Sequence, residues 1–177
     1  MKIGLLSDTH GWLDSQVFRY FKDSQEVWHA GDIGSIDIIE QLEAFKPLRA
    51  VYGNIDGQDI RARCPENQYF MCAGLHVWIT HIGGKPPRYT PTLLAGLQQQ
   101  VPDILVCGHS HILQVMHDAE HPPLLYLNPG AAGQYGFHQV RTLLRFEVNE
   151  GKVCNVQAIE LGPRSSIRPP NKTDRAL

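Results

Sequence analysis

The sequence predicts an α/β fold, a two-sheet αββα sandwich with its helices on the outer faces, on three observations. Short apolar runs alternate with amphipathic stretches through the first half, as βα units around a buried sheet require. From Asp103 onward the apolar runs are strand-like and closely spaced. No linker or internal repeat divides the 177 residues. One domain over residues 1–162 follows, long enough to bury roughly 70% of its unfolded surface.

Lys2–Leu6 is the first strand. Asp14 then caps a helix running to about Phe21, with Leu13 and Phe18 spaced as a hydrophobic staple. Val27–His29 is the second strand. Ser35 caps the next helix, whose apolar face is Ile38, Ile39, Leu42 and Phe45, and Pro47 stops it. Leu48–Tyr52 is the third strand, and a polar loop is expected from Gly57 to Pro65.

Asn67–Ala73 and His76–Thr80, with Gly74 between them, read as a hairpin. Thr90-Pro91 is an N-cap followed by proline at the first helical position, with Leu93, Leu94 and Leu97 as the buried stripe and Pro102 as the stop. Strands follow at Asp103–Cys107, Ile112–His117, Leu124–Leu127, Arg141–Val148 and Lys152–Leu161, the last two joined by a turn at Asn149-Glu150-Gly151. From Gly162 the chain loses its apolar pattern, so residues 163–177 are expected to form a flexible, solvated tail carrying Arg164, Arg168, Lys172 and Arg175.

Composition narrows the function classes. A formal charge of −2 supplies no long-range field for nucleic acid or an acidic membrane. No apolar stretch approaches the ~20 residues of a membrane span, and the N-terminus opens straight into a strand. The four cysteines show no metal-type or redox-type spacing, and Cys107 and Cys154 lie in apolar runs as buried free thiols. A cytoplasmic protein with no clear nucleic-acid surface and no membrane contact is expected, and a homo-oligomer is left open.

Five fragments stand at the ends of probable strands: Asp8-Thr9-His10, Gly31-Asp32, Gly53-Asn54, His81 and Gly108-His109-Ser110-His111. Singly, each is unremarkable. With ten Asp and nine His, random order yields about half an occurrence of Asp-x-His, and an isolated Gly-Asn is ordinarily a turn. Jointly they share one location, the carboxyl ends of strands, where ligands of α/β sheets collect. Two Asp, one Asn and four His with no thiolate form a mixed oxygen and nitrogen set. Such a set suits Mn, Fe, Zn, Co or Ni, with manganese the expected metal, and excludes both a structural thiolate zinc site and an oxygen-only calcium site. Two divalent cations ~3.5–4 Å apart can share a hydroxide and clamp a phosphoryl group for in-line displacement.

The order Asp-x-His, Gly-Asp, Gly-Asn, His, Gly-His-x-His resembles the calcineurin-like metallophosphoesterase superfamily. The short chain and Asn128-Pro129-Gly130 resemble its small, single-domain prokaryotic phosphodiesterases. The resemblance implies the sandwich of the metallophosphoesterase type and hydrolysis of a small phosphoester, most naturally a diester, through a metal-bridging hydroxide. It implies that Asp8, His10 and His111 hold one metal, that Asn54, His81 and His109 hold the other, and that Asp32 bridges. Asp32, Asn54 and His81 would then also position the hydroxide and the phosphoryl group as catalytic residues. One position departs: relatives often read Gly-Asn-His, whereas Ile55 follows Asn54 here and cannot donate a proton to the leaving oxygen.

His29 either orients Asp32 or a ligating histidine from behind, or simply ends a buried strand. Asp56 is either such a support or a turn residue. Arg88, Tyr89, Tyr135, Phe137 and His138 lie in loops that can rim a cleft, and ordinary surface positions explain them as well. The alternative function is a non-catalytic protein-binding scaffold of the same fold, like the retromer subunit whose ligands are partly eroded; the set here is complete. A nuclease of the superfamily would carry a cap or a basic stripe, and neither is evident.

Overall fold

In the computed structural model, residues 1–164 are described. The first sheet has strand order β12-β11-β1-β2-β3, built from β1 (Lys2–Leu6), β2 (Glu26–His29), β3 (Leu48–Ala50), β11 (Val140–Asn149) and β12 (Lys152–Pro163). The second has order β4-β5-β8-β10-β9, built from β4 (Asn67–Cys72), β5 (Leu75–Thr80), β8 (Ile104–Val106), β9 (Leu113–His117) and β10 (Leu125–Pro129). β1, β2 and β3 run parallel, as do β5, β8 and β10, while the remaining pairings are antiparallel.

Alternation along each strand assigns its two faces. Ile3, Leu5 and Trp28 of the first sheet meet Val77, Ile79, Ile104, Val106, Leu125 and Leu127 of the second in a shared inner core. Leu6, Val27 and Ala50 point the other way, under α1 (Gln16–Tyr20), α2 (Ile36–Phe45) and α3 (Gln58–Arg63). Trp78, Leu105 and Tyr126 point outward on the second sheet, under Leu93 and Leu97 of α4 (Pro91–Gln99). Burial on both faces explains why the parallel strands read as continuous apolar runs. The helix–sheet–sheet–helix layering is the sandwich expected from the sequence.

Caps behave as the local chemistry dictates. The Ser35 hydroxyl accepts from Asp37 N at 3.3 Å and the Thr90 hydroxyl from Leu93 N at 3.3 Å. Asp14 accepts from Gln16 N at 2.9 Å, although the backbone places the cap position of the short α1 at Ser15. The β4–β5 hairpin turns through Ala73 and Gly74, both at positive φ.

Four details differ from expectation. The supposed loop from Gly57 to Pro65 contains α3, which buries only Ile60 and therefore leaves no periodic signature. A two-stranded ribbon, β6 (Gly84–Lys85) with β7 (Arg88–Tyr89), follows β5. Cys154 is half-buried, because β12 lies at the sheet edge. The chain stays ordered past Gly162, since Pro163 pairs with Val140 and Arg164 N donates to Gln139 O; the rest of the expected tail, 165–177, lies outside the described residues. Among the described residues no helix is long and apolar enough to cross a membrane.

Candidate metal centre

The carboxyl ends of β1, β2, β3, β5 and β8 lead directly into Asp8, Asp32, Asn54, His81 and His109, so one edge of the sandwich gathers the candidate ligands. Five of them, Asp8, His10, Asp32, His109 and His111, adopt positive φ between 50° and 65°. Left-handed backbone costs a non-glycine residue ~1–3 kcal/mol and persists only where the surroundings enforce it. Here the loops hold one another: Asp8 N donates to Gly31 O at 2.9 Å and His10 N to Asp32 O at 3.0 Å. His109 N donates to Asp8 Oδ2 at 3.2 Å.

The glycines of the motifs are explained by close approach. A Cβ on Gly53 would lie 2.1 Å from Asp32 Oδ1, and one on Gly108 would lie 2.2 Å from Ser7 Oγ. Asn128 secures the Gly108–His111 turn, donating to Gly108 O at 2.9 Å and to Ser110 Oγ at 3.1 Å.

The side chains fall into two clusters, Asp8 with His10 and His111, and Asp32 with His81 and His109. Asp32 belongs to both by geometry: its Oδ1 lies 3.2 Å from His81 Nε2 and its Oδ2 lies 3.9 Å from His10 Nε2. Asn54 sits on the exposed turn between Gly53 and Ile55, and Ile55 N donates to Asp32 Oδ1 at 3.1 Å.

Hydrogen-bond partners assign the tautomers. His81 Nδ1–H donates to Ala30 O at 2.7 Å, which leaves an Nε2 lone pair facing Asp32. His138 Nε2–H donates to Gly133 O at 3.0 Å, so its Nδ1 accepts from His111 Nδ1–H at 3.2 Å. His111 Nε2 is therefore also a bare lone pair, 3.1 Å from Asp8 Oδ1 and 3.2 Å from His10 Nε2. Asp8 Oδ1 and His81 Nε2 are buried without a hydrogen-bond partner. Lone pairs crowded this way repel unless protons or cations lie among them. The donor set therefore fits divalent cations.

Proton affinities reflect the crowding. Burial works to lower the His81 pKa, but the Asp32 and Asp8 carboxylates outweigh it and raise it. Burial lowers the His10 pKa, only partly offset by the same carboxylates. Burial would raise the Asp32 carboxyl, but His81 and the Ile55 amide hold it below the ordinary range.

The two supporting candidates act on backbone rather than on ligand side chains. Asp56 is buried and accepts from Ile33 N at 3.1 Å, Gly34 N at 2.7 Å and Gly53 N at 2.8 Å, tying the Asp32 loop to the Asn54 loop. His29 makes no hydrogen bond to Asp32 or to a ligating histidine. It accepts from Gly31 N at 3.2 Å and donates to Thr9 Oγ1 at 3.0 Å, while Thr9 donates onward to Ile33 O at 2.9 Å. Full burial pushes the His29 pKa down to about 4, so it works as a neutral ring.

His138 is the residue whose role the sequence did not single out. Gly136 lets its loop close over His111, since a Cβ there would lie 2.2 Å from His111 Nδ1. Isoleucines follow Asn54, His81 and His111, and Ile55, Ile82 and Ile112 are 47%, 44% and 56% exposed, an apolar lip around polar ligands.

Residues 1–151 match the calcineurin-like phosphoesterase superfamily domain. The chain belongs to that superfamily. Superfamily relatives include a probable metallophosphoesterase of Methanothermobacter thermautotrophicus, 32% identical over 74% of this chain and 77% of the relative. A phosphodiesterase of Methanocaldococcus jannaschii is 26% identical over 76% of this chain and 86% of its own length. Among solved structures, Vps29 from Entamoeba histolytica in complex with zinc superimposes with a TM-score of 0.67 at 21% identity, covering 92% of this chain and 99% of that one. At that identity the likeness shows the shared fold.

Proposed function

We propose that this superfamily member is a phosphoesterase working with two divalent cations, and that its substrates are phosphodiesters. The observation that carries the reading is the division of Asp32, one carboxylate oxygen turned to each of two histidine-bearing clusters. Asp8, His10 and His111 would hold one cation, Asn54, His81 and His109 the other, with Asp32 shared and manganese the leading candidate. When bound, the pair supplies Lewis acidity that neutralises a phosphoryl group and lowers the pKa of water. The chain's own part is orientation. Backbone carbonyls and His138 fix the ligand tautomers, and the enforced left-handed turns aim the rings inward.

The exposed isoleucine lip suits organic ester arms, and the named phosphodiesterase relative supports the diester. The aliphatic Ile55 side chain cannot donate a proton, so the position after Asn54 supplies no general acid to the leaving oxygen. The test is elemental analysis of the purified protein, then turnover of bis(p-nitrophenyl) phosphate with manganese by wild type, Asp32→Ala and His111→Ala. Close to two metals per chain and turnover lost in both variants are expected. Wild-type-like turnover in either variant would refute the ligand assignment. The Vps29 likeness keeps a protein-binding scaffold as the second reading, and a metal-free chain without turnover of any ester would favour it.

A further inference from the structure

We propose that the substrate carries a second phosphate, seated between Lys85 and Arg88 beside His109; this rests on the phosphoesterase reading of the adjoining site. A cleft of about 280 Å³ is walled by Lys85, Arg88, His109, Ser110, Ile112 and Tyr126 among others, and no Asp or Glu lines it. His109 also belongs to one ligand cluster, so the cleft adjoins the candidate metal centre.

Lys85 and Arg88 stand directly opposite one another in the antiparallel β6–β7 ribbon. Residues so paired project from the same face with neighbouring Cβ atoms, and like charges placed there repel. Neither makes an ion pair among the described residues. With a net charge of −2 the chain is not generally basic, so the pair is a local concentration of charge. A dianion between them removes the repulsion, and the guanidinium fork matches phosphate oxygens.

The ribbon is also held in place. Tyr126 Oη donates to Gly84 O at 2.9 Å, and Tyr89 Oη donates to Asp118 Oδ2 at 2.7 Å. Tyr126 fastens the ribbon to β10 and Tyr89 fastens it to Asp118 just after β9, so the two cationic side chains are carried on a fixed support. The apolar Ile112 and the Tyr126 ring leave room for the organic part that joins the two phosphates.

The experiment is calorimetric titration of the manganese-loaded protein with thymidine 3′,5′-bisphosphate and with thymidine 5′-phosphate as internal reference. Wild type should bind the bisphosphate about ten-fold or more tightly, a preference that shrinks as salt rises from about 0.05 to about 0.5 M. Lys85→Ala/Arg88→Ala should bring the two affinities to within about two-fold. Equal affinities in wild type, a preference indifferent to salt, or a preference kept by the double variant would each overturn the proposal. Chromogenic diester turnover, run in parallel, separates the two readings. Turnover without bisphosphate preference sinks this inference alone. A preference lost in the variant without any turnover sinks the diesterase reading and leaves the second phosphate site standing.

Discussion

Replacing Asp56 with alanine removes one buried carboxylate and strands three backbone donors, on Ile33, Gly34 and Gly53. Gly34 is exposed and its N–H can turn to water, whereas Ile33 and Gly53 are buried. Each stranded buried donor costs ~1–3 kcal/mol, so the loss amounts to ~4 kcal/mol. For a domain of this size that corresponds to a fall of roughly 10 °C in Tm. Asp56→Asn keeps an acceptor oxygen but turns an NH2 toward one of the donors, and about half the loss is expected. The same bonds set the spacing of the Asp32 and Asn54 loops, so metal affinity must fall along with stability. Thermal unfolding by circular dichroism and calorimetric manganese titration measure the two effects. A Tm within about 3 °C of wild type and an unchanged metal affinity would refute the account of Asp56 as the tie between these loops.

Three further predictions follow from the site. His138→Ala removes the partner that fixes the His111 tautomer and should lower metal affinity ~10–100-fold, read by calorimetry; wild-type affinity would show that His111 needs no such support. His29 has a folded pKa of about 4 against an ordinary 6.5. Below pH 6.5 the unfolded chain therefore takes up a proton that the fold refuses. Stability should fall by ~3 kcal/mol between those two pH values and level off below them. Metal-free His29→Asn should show a flatter dependence, and parallel curves for wild type and variant would count against the assignment. For Ile55, rates across a series of aryl phosphodiesters should depend steeply on leaving-group acidity, since general acid assistance worth ~10²–10⁴-fold is missing; a flat series would point to a proton donor elsewhere in the cleft.

Local chemistry makes much of the fold legible in the residues themselves. The α2 pattern of Ile38, Ile39 and Leu42, its Ser35 cap and the Thr90-Pro91 start of α4 are decided by neighbours a few residues away. Helix α3 is not legible, because six residues with one buried side chain have no period to read. Nor is the ribbon, because strands of two residues are too short to show the alternation that marks a strand. The partners of His29 and Asp56 are backbone N–H groups and the Thr9 hydroxyl, whose positions no residue pattern announces.

By itself the sequence determined the sandwich and the seven candidate ligands at the strand ends, because strand periodicity and turn chemistry act over short range. Only the tertiary structure decided how those ligands group, that Asp32 faces both clusters, and that His138 stands behind His111. It also decided that Lys85 and Arg88 pair across a ribbon and line one cleft with His109. The physical reason is that each of these relations joins loops from different strands. Their spacing is set by the stacking of two sheets and by buried hydrogen bonds between loops far apart in the chain.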